Sequence, residues 1–267
     1  MVKIGIVGCA GRMGRMLVSE IQNSDKATLA GGTEPPGSPF VGQDAAALAG
    51  AEPAGVVIGD DAEALFDISD AVINFTAPAA TVVHAALAAE TGTALTVGTT
   101  GLSENDFSQL KTAAERTVIV QAANFSIGVN LLLGLTEQVA GILGDDYDIE
   151  ILEMHHRHKV DAPSGTALAL GEAAAAGRRV DLGSVAQRVR DGITGARASG
   201  DIGFATLRGG GVVGDHTVLF ASEQERVELT HKAASRAVFA AGALRATLWT
   251  EGRANGYYTM RDILGFS

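Results

Sequence analysis

Three of the chain's six histidines and one of its five lysines fall in EMHHRHKVDAPSGTA, Glu153 to Ala167. Imidazole titrates near neutrality, so His155, His156 and His158 are groups that can give or take a proton at working pH. Lys159 adds a positive charge and a further donatable proton. Directly behind them, Ser164, Gly165 and Thr166 open the run ALALGEA. A helix start of this kind offers bare backbone N–H groups and a hydroxyl, the usual means of holding a carboxylate. Two other readings compete with proton transfer. Histidines are common zinc ligands, but Arg157 and Lys159 would oppose a bound dication, and neither H-E-x-x-H nor a cysteine pair is present. A solvated loop after a strand would explain the polar residues, though not the PSGTA that follows them. Because strand side chains alternate faces, His155 and His156 are expected to project differently and do different jobs.

A second constellation stands at the amino end. KIGIV runs into GCAGRMGRM, with Gly8, Gly11 and Gly14 spaced G-x-x-G-x-x-G. A strand-to-helix turn needs glycines there if the backbone is to approach a pyrophosphate, whose charge then meets the free N–H groups of the helix. Glu34 ends the next strand, where a carboxylate can accept hydrogen bonds from ribose hydroxyls. A 2′-phosphate would want an arginine beside it, but the sequence reads TEPPGS, with Pro35 and Pro36. Arg12 is the nearest cation in sequence. NADH is therefore the preferred cofactor, with NADPH as the alternative and no metal. A dinucleotide beside proton-transfer groups implies hydride transfer to a C=N or C=C bond of an acidic substrate, a protein acid completing the reduction.

Other polar residues carry less. Cys9, in the glycine turn, reads as a small packing residue rather than a nucleophile. His84 reads as structural, as does His216, although His216 could approach a substrate. His231 and Lys232 read as a solvated strand end. Arg208 could contact an anion or a neighbouring subunit, and the sequence does not decide.

These residues need a scaffold, and 267 residues suffice for two domains with their own cores. Up to about Ser126, short runs that are apolar throughout (KIGIV, GVVIG, DAVINFT, ALTVGTTG, TVIVQAANF) alternate with helical stretches, the pattern of a parallel sheet covered on both faces. After a helical run over 127–143 the pattern changes. DIEILEMH alternates polar and apolar, and IGFATLR, VVGDHTVLF and RVELTHK follow one another without intervening helices, which predicts a mixed or antiparallel sheet. The expected class is α/β: a Rossmann-like domain (residues 1–126 and 236–267) and an α+β domain with a mixed open sheet (127–235). Gly177–Gly200 reads as a long mobile loop. A net charge of −11 argues against nucleic acid and anionic membrane as partners. No run approaches about 18 uninterrupted apolar residues. The start lacks the charged-then-apolar pattern of a signal peptide. With one cysteine, a reducing cytoplasm is the expected compartment.

The whole chain resembles the 4-hydroxy-tetrahydrodipicolinate (dihydrodipicolinate) reductase family. The resemblance lies in VGCAGRMG (7–14), INFTAP (73–78), VGTTG (97–101), AANFSIGVN (122–130), EMHHRHKVDAPSGTA (153–167), IGFATLRGGGVVGDH (202–216) and LTHKAASRAVFAAGALRA (229–246). It implies reduction of a small cyclic dicarboxylate by NAD(P)H in lysine biosynthesis, through the dehydrated form of the substrate. It further implies a homotetramer built on the open sheet, and hinge closure. By the same resemblance His155 looks like the family's proton donor/acceptor and Lys159 like its proton donor. His156, Ser164, Gly165 and Thr166 would hold the substrate carboxylates. Gly8, Cys9, Ala10, Gly11, Arg12, Met13, Glu34, Gly98, Thr99, Thr100, Ala122, Ala123, Asn124 and Phe125 would line the cofactor. Members that use NADPH well commonly carry an arginine where Pro35 stands here. A nucleotide-sensing protein that has lost catalysis, or a dehydrogenase of another small dicarboxylate, would share the glycine turn but would not be expected to carry HHRHK with DAPSGTA.

Overall fold

Apolar runs that do not alternate have two faces to bury. In the computed structural model, which describes residues 1–266, they do so within a helix-covered sheet. The chain begins β1 (Val2–Val7), α1 (Arg12–Gln22), β2 (Ala27–Thr33), α2 (Ala45–Leu48), β3 (Ile58–Gly59) and α3 (Ala62–Ile68). It continues β4 (Ala71–Asn74), α4 (Pro78–Thr91), β5 (Ala94–Val97), α5 (Glu104–Ala113) and β6 (Val118–Gln121). Next come α6 (Ile127–Leu143) with a 3-10 turn (Gly144–Asp146), β7 (Asp148–His155), α7 (Gly165–Arg178), α8 (Leu182–Val185) and β8 (Ala186–Gln187). The strands β9 (Ile202–Arg208), β10 (Asp215–Ala221) and β11 (Arg226–Lys232) precede α9 (Ala237–Trp249), β12 (Gly256–Tyr258) and α10 (Met260–Leu264). Contacts divide this into two units: Met1–Ile127 with the segment from Ala237 onward, and Gly128–Arg236. Ser267, the last residue of the predicted first domain, lies outside the described residues.

In the first unit the sheet runs β12-β6-β5-β4-β1-β2-β3, every pairing parallel. Every residue of β4 and β5 is buried, the polar Asn74 and Thr96 included. From β1 the chain builds outward through β2 and β3, then returns to build β4, β5 and β6 on the other side. The order thus reverses between β1 and β4, the place where open α/β sheets receive ligands beyond the carboxyl ends of their strands. Local signals set the helix ends. Pro78 opens α4 and left-handed Gly92 closes it, while Ser103 and Asp106 cap the start of α5 reciprocally. Ile4, Ile6, Leu17, Ile73, Phe125 and Ala243 share one core cluster, and Val7, Phe66, Leu95 and Ile119 another. α9 presses so closely on the segment after β6 that a Cβ on Gly242 would overlap the Phe125 carbonyl oxygen.

The second unit holds a mixed sheet, β11-β10-β7-β9-β8, with β10 antiparallel to both neighbours and β9 parallel to both of its own. Along β7, Ile149, Ile151, Glu153 and His155 are buried. Leu132, Ala140, Leu170 and Ala174 of α6 and α7 join this core, and Gly177 of α7 leaves no room for a Cβ beside the Glu137 carbonyl. In the alternate phase, Leu152, Met154 and Leu219 are half-buried and Leu207 is exposed.

One expectation changes. Gly177–Gly200 is not a bare loop: α7 runs to Arg178, Asp181 caps α8, and β8 pairs with β9. Arg190 and Arg197 both bind Glu150, and Arg197 also binds Asp148. A two-residue edge strand is dictated by its pairing partner rather than by any pattern of its own, so periodicity could not find it. The expectation of no long uninterrupted apolar run stands, yet residues Ile127–Asp146 are long and apolar enough to cross a membrane by length and composition alone, with mean hydropathy 1.4. Thr136, Glu137 and Gln138 interrupt the run, 28% of the apolar window is buried, and Leu132 and Ala140 join the core of the second unit.

Gly242→Ala is expected to cost about 1–3 kcal/mol, the usual range for overpacking a close contact, read as a lower denaturant midpoint. An unchanged midpoint would mean that α9 can shift without penalty.

Candidate active site

The alternation of β7 places an acid where its neighbours Ile149 and Ile151 are apolar. Glu153 is 1% exposed, and its two oxygens receive four hydrogen bonds. Oε2 accepts from His155 Nδ1 at 2.6 Å and Arg208 Nη1 at 2.8 Å. Oε1 accepts from Arg208 Nη2 at 2.9 Å and the Ser164 backbone N–H at 3.0 Å. Register explains the convergence: His155 pairs with Arg208 across β7 and β9, and Glu153 faces His216 across β7 and β10. Arg208 also donates to the Asp161 carbonyl at 2.7 Å, tying the loop after β7 to the sheet. Burial, the largest single influence, would raise the Glu153 carboxyl, but the bonds from Arg208, His155 and Ser164 outweigh it and hold it below the usual range. Glu153 is therefore ionised.

Ser164 caps α7, its Oγ accepting the Ala167 N–H at 3.1 Å, and that oxygen also lies 3.2 Å from His216 Nε2. His216 meets the His155 ring edge-on, centroids 5.1 Å apart and planes at 74°. Burial above all, with neighbouring His155 next, brings His216 from the usual 6.5 down to about 4, so it is neutral at pH 7. His156 lies just past the end of the strand. It is half-buried, its Nδ1 has no partner, and burial followed by the charge of Arg236 lowers its pKa. Lys159 pairs with exposed Asp161 at 2.8 Å. Gly165 and Thr166 form the first turn of α7, while Arg157 and His158 point to solvent. The structure thus brings His155, Ser164 and the start of α7 together through Glu153. Sequence reasoning left Arg208 undecided, took His216 as structural and overlooked Glu153. The signal for Glu153 was present, since it falls in the buried phase of an alternating strand.

The second set of residues gathers at the carboxyl ends of the parallel strands in the first unit. Gly8 has φ 73°, a left-handed conformation glycine adopts without strain. The N–H groups of Gly8 and Cys9 both donate to the Thr33 carbonyl, at 2.8 and 3.3 Å. A Cβ on Gly14 would overlap the Gly8 carbonyl and the Cys9 backbone, so this glycine allows α1 to pack against the turn. Gly11 begins α1 with no side-chain cap, and Arg12 beside it is exposed. Glu34 Oε1 accepts the Ala10 N–H at 2.7 Å, so the acid that follows β2 braces the turn directly. The Cys9 thiol is buried against Gly32, and burial, with Glu34 second, pushes it up to about 12. It is a packing group. At the end of β5, the Phe75 ring occupies the space a Gly98 Cβ would need. Thr99 Oγ1 accepts from the Thr76 N–H at 3.2 Å and from Thr81 Oγ1 at 2.8 Å. Thr100 and Ala123 are exposed, Ala122 and Phe125 buried, and the Phe125 ring lies 5.7 Å from that of Phe75. Asn124 Oδ1 accepts the Ser126 N–H at 2.8 Å. Asn74, Phe75 and Thr76, absent from the expected set, belong to this cluster because β4 lies beside β1. Asn74 Nδ2 is buried with no partner.

An unfolded chain takes up a proton on His216 near 6.5, the folded one only near 4. The folded state therefore keeps this contribution above about pH 6.5 and loses it progressively as pH falls toward 4, by on the order of 3 kcal/mol. His84, His156 and His231 are lowered by burial as well. His216→Asn is thus expected to reduce, not abolish, the fall in unfolding free energy between pH 6.5 and 4. An unaltered slope would show that His216 is not held neutral.

The family models described as dihydrodipicolinate reductase, N-terminus and C-terminus, match residues 2–125 and 128–264. The 4-hydroxy-tetrahydrodipicolinate reductase of Ruegeria sp. (strain TM1040) is 55% identical over 98% of this chain and 97% of its own length. That of Rhodopseudomonas palustris (strain BisA53) is 53% identical over 99% of this chain and 97% of its own. Among solved structures, the dipicolinate-bound dihydrodipicolinate reductase from Paenisporosarcina sp. TG-14 superposes with TM-score 0.79 at 24% identity, covering 97% of both chains. An amine dehydrogenase from Mycobacterium smegmatis shares the fold more distantly, with TM-score 0.60 at 13% identity over 97% of this chain and 95% of its own. Matched over both halves and more than half identical to named relatives along nearly its whole length, the chain belongs to the dihydrodipicolinate reductase family.

Proposed function

We propose that this protein catalyses the NAD(P)H-dependent reduction of 4-hydroxy-tetrahydrodipicolinate, through its dehydrated form, to tetrahydrodipicolinate in the diaminopimelate route to lysine. Family membership supports the reaction. The observation that carries it to particular residues is the buried His155, joined through Glu153 to the capped start of α7. In the net reaction water leaves the substrate, and the ring then takes up a hydride and a proton.

The amino-terminal cluster fits a dinucleotide. Left-handed Gly8, the uncapped start of α1 and the unpartnered Asn74 Nδ2 are features a bound pyrophosphate and nicotinamide end would complete. NAD(P)H, when bound, supplies the hydride. Gly8 to Met13, Glu34, Gly98 to Thr100 and Ala122 to Phe125 would hold it, with Asn74 and Thr76 added to that set. Glu34 keeps a carboxylate for ribose hydroxyls, and exposed Pro35 and Pro36 offer no cation to a 2′-phosphate, which favours NADH.

The remaining steps belong to side chains of the second unit. Gly165 and Thr166 present first-turn N–H groups to a substrate carboxylate, and Ser164 adds its hydroxyl. The unpartnered Nδ1 of His156 gains a partner from the same anion. His155 moves the proton that completes the reduction, by way of Nε2, the nitrogen Glu153 leaves free. Lys159 is held by an exposed carboxylate in a pairing worth about 0–1 kcal/mol, so exchanging Asp161 for a substrate carboxylate is cheap. It serves as the second donor. No metal takes part in this reading.

The half-exposed Leu152, Met154 and Leu219 with exposed Leu207 support assembly through the second sheet into a homotetramer. A single cysteine with a buried thiol suits the cytoplasm.

The test is a coupled assay in which the preceding synthase generates the substrate and oxidation of NADH and NADPH is followed separately. Oxidation of neither would sink the function, whereas a strong NADPH preference would sink only the argument from Pro35. His155→Ala and Lys159→Ala are each expected to lower kcat by roughly 10²–10⁴, the range for a general acid. Wild-type turnover in either variant would remove that residue from its role.

A further inference from the structure

A fully buried carboxylate on the inner face of a strand calls for an explanation beyond folding. Its neighbours in phase are Ile149 and Ile151, and an apolar side chain of similar volume would serve stability as well or better than a buried ion pair. Glu153 does not touch the solvent and has no proton to give.

We propose that Glu153 is the positioning residue of the site: it fixes His155 as the Nδ1–H tautomer with Nε2 turned outward, and through its other oxygen it sets that ring relative to the anion-binding start of α7. The proposal rests on the reading of His155 as the proton-transfer group.

The tautomer follows from counting donors and acceptors. An ionised carboxylate has about four acceptor sites and no donor. All four at Glu153 are engaged: two by Arg208, one by the Ser164 N–H, and the fourth, at 2.6 Å, by His155 Nδ1. A bond of that length to an acceptor-only group requires the hydrogen to be on Nδ1. Nε2 is then left to carry the mobile proton.

Two further features agree. Gly214 lies opposite that nitrogen, and a Cβ there would come within 3.0 Å of His155 Nε2, so glycine keeps its approach clear. Arg208 balances the charge of Glu153 with two parallel bonds and is anchored by the Asp161 and Leu207 carbonyls. The carboxylate is thereby held from three sides while His155 turns against it. Among the described residues, Glu153 on its own strand bonds the His155 ring, Arg208 of β9 pairs with His155 in register and binds the same carboxylate, the His216 ring of β10 stands edge-on at 5.1 Å, and His156 follows in the chain.

Nitrogen-15 spectra of the full-length protein with labelled histidine separate the two neutral tautomers, and His155→Asn identifies the signal by its loss. Wild-type His155 is expected as Nδ1–H. In Glu153→Gln the amide can turn either its oxygen or its NH₂ to Nδ1, so a mixture is expected. With it, kcat is expected to fall about 10–100-fold, as when other orienting partners are removed, with a smaller change in KM. Glu153→Asp, which keeps the charge, is expected to recover part of the rate. A wild-type tautomer and wild-type kcat in Glu153→Gln would overturn the proposal. Should that variant not fold, the wild-type spectrum still decides, since an Nε2–H tautomer at neutral pH overturns it equally. The spectra do not depend on catalysis. A fully active His155→Ala would therefore refute the proton-donor reading while leaving the tautomer result intact.

Discussion

The carboxylate of Glu153 cannot be buried unless every one of its acceptor sites is filled, and this requirement organises the second unit. An unpaired buried charge costs several kcal/mol, so Arg208, His155 and the Ser164 N–H must arrive together or not at all. The register of β7 with β9 brings Arg208 opposite His155. The loop from His156 to Pro163 must then return its end to Oε1, and that return is what begins α7 at Ser164. The His155 ring, the ion pair and the helix start are thus placed by satisfying one side chain.

The first unit meets a different constraint. Its strands are buried on both faces, so polar chemistry can be placed only at their ends. The reversal of strand order beside β1 gathers those ends around the glycine turn. There small residues are dictated by neighbours: Gly14 by the Gly8 carbonyl, Gly98 by the Phe75 ring, Gly242 by the Phe125 carbonyl. Glu34, which directly follows β2, is bonded to the Ala10 N–H and is thereby a structural member of the turn.

Much of this was legible in the residues. Unbroken apolar runs gave the parallel strands, because a strand dry on both faces has no polar phase. Alternation in DIEILEMH gave the change of sheet type. What the patterns could not carry were elements with no period of their own. The edge strand β8 exists through pairing with β9, and Arg190 and Arg197 of Gly177–Gly200 found partners on β7 that lie some forty residues away in sequence.

By itself, then, the sequence determined the fold class, the family and the identity of the residues able to do chemistry, because periodicity, glycine spacing and the HHRHK–DAPSGTA run are local properties of the chain. Only the tertiary structure decided which of them act together. Glu153 and Arg208 stand 55 residues apart and Ser164 and His216 52 apart, and hydrogen bonds of 2.8–3.2 Å are set by strand register, which no local pattern encodes.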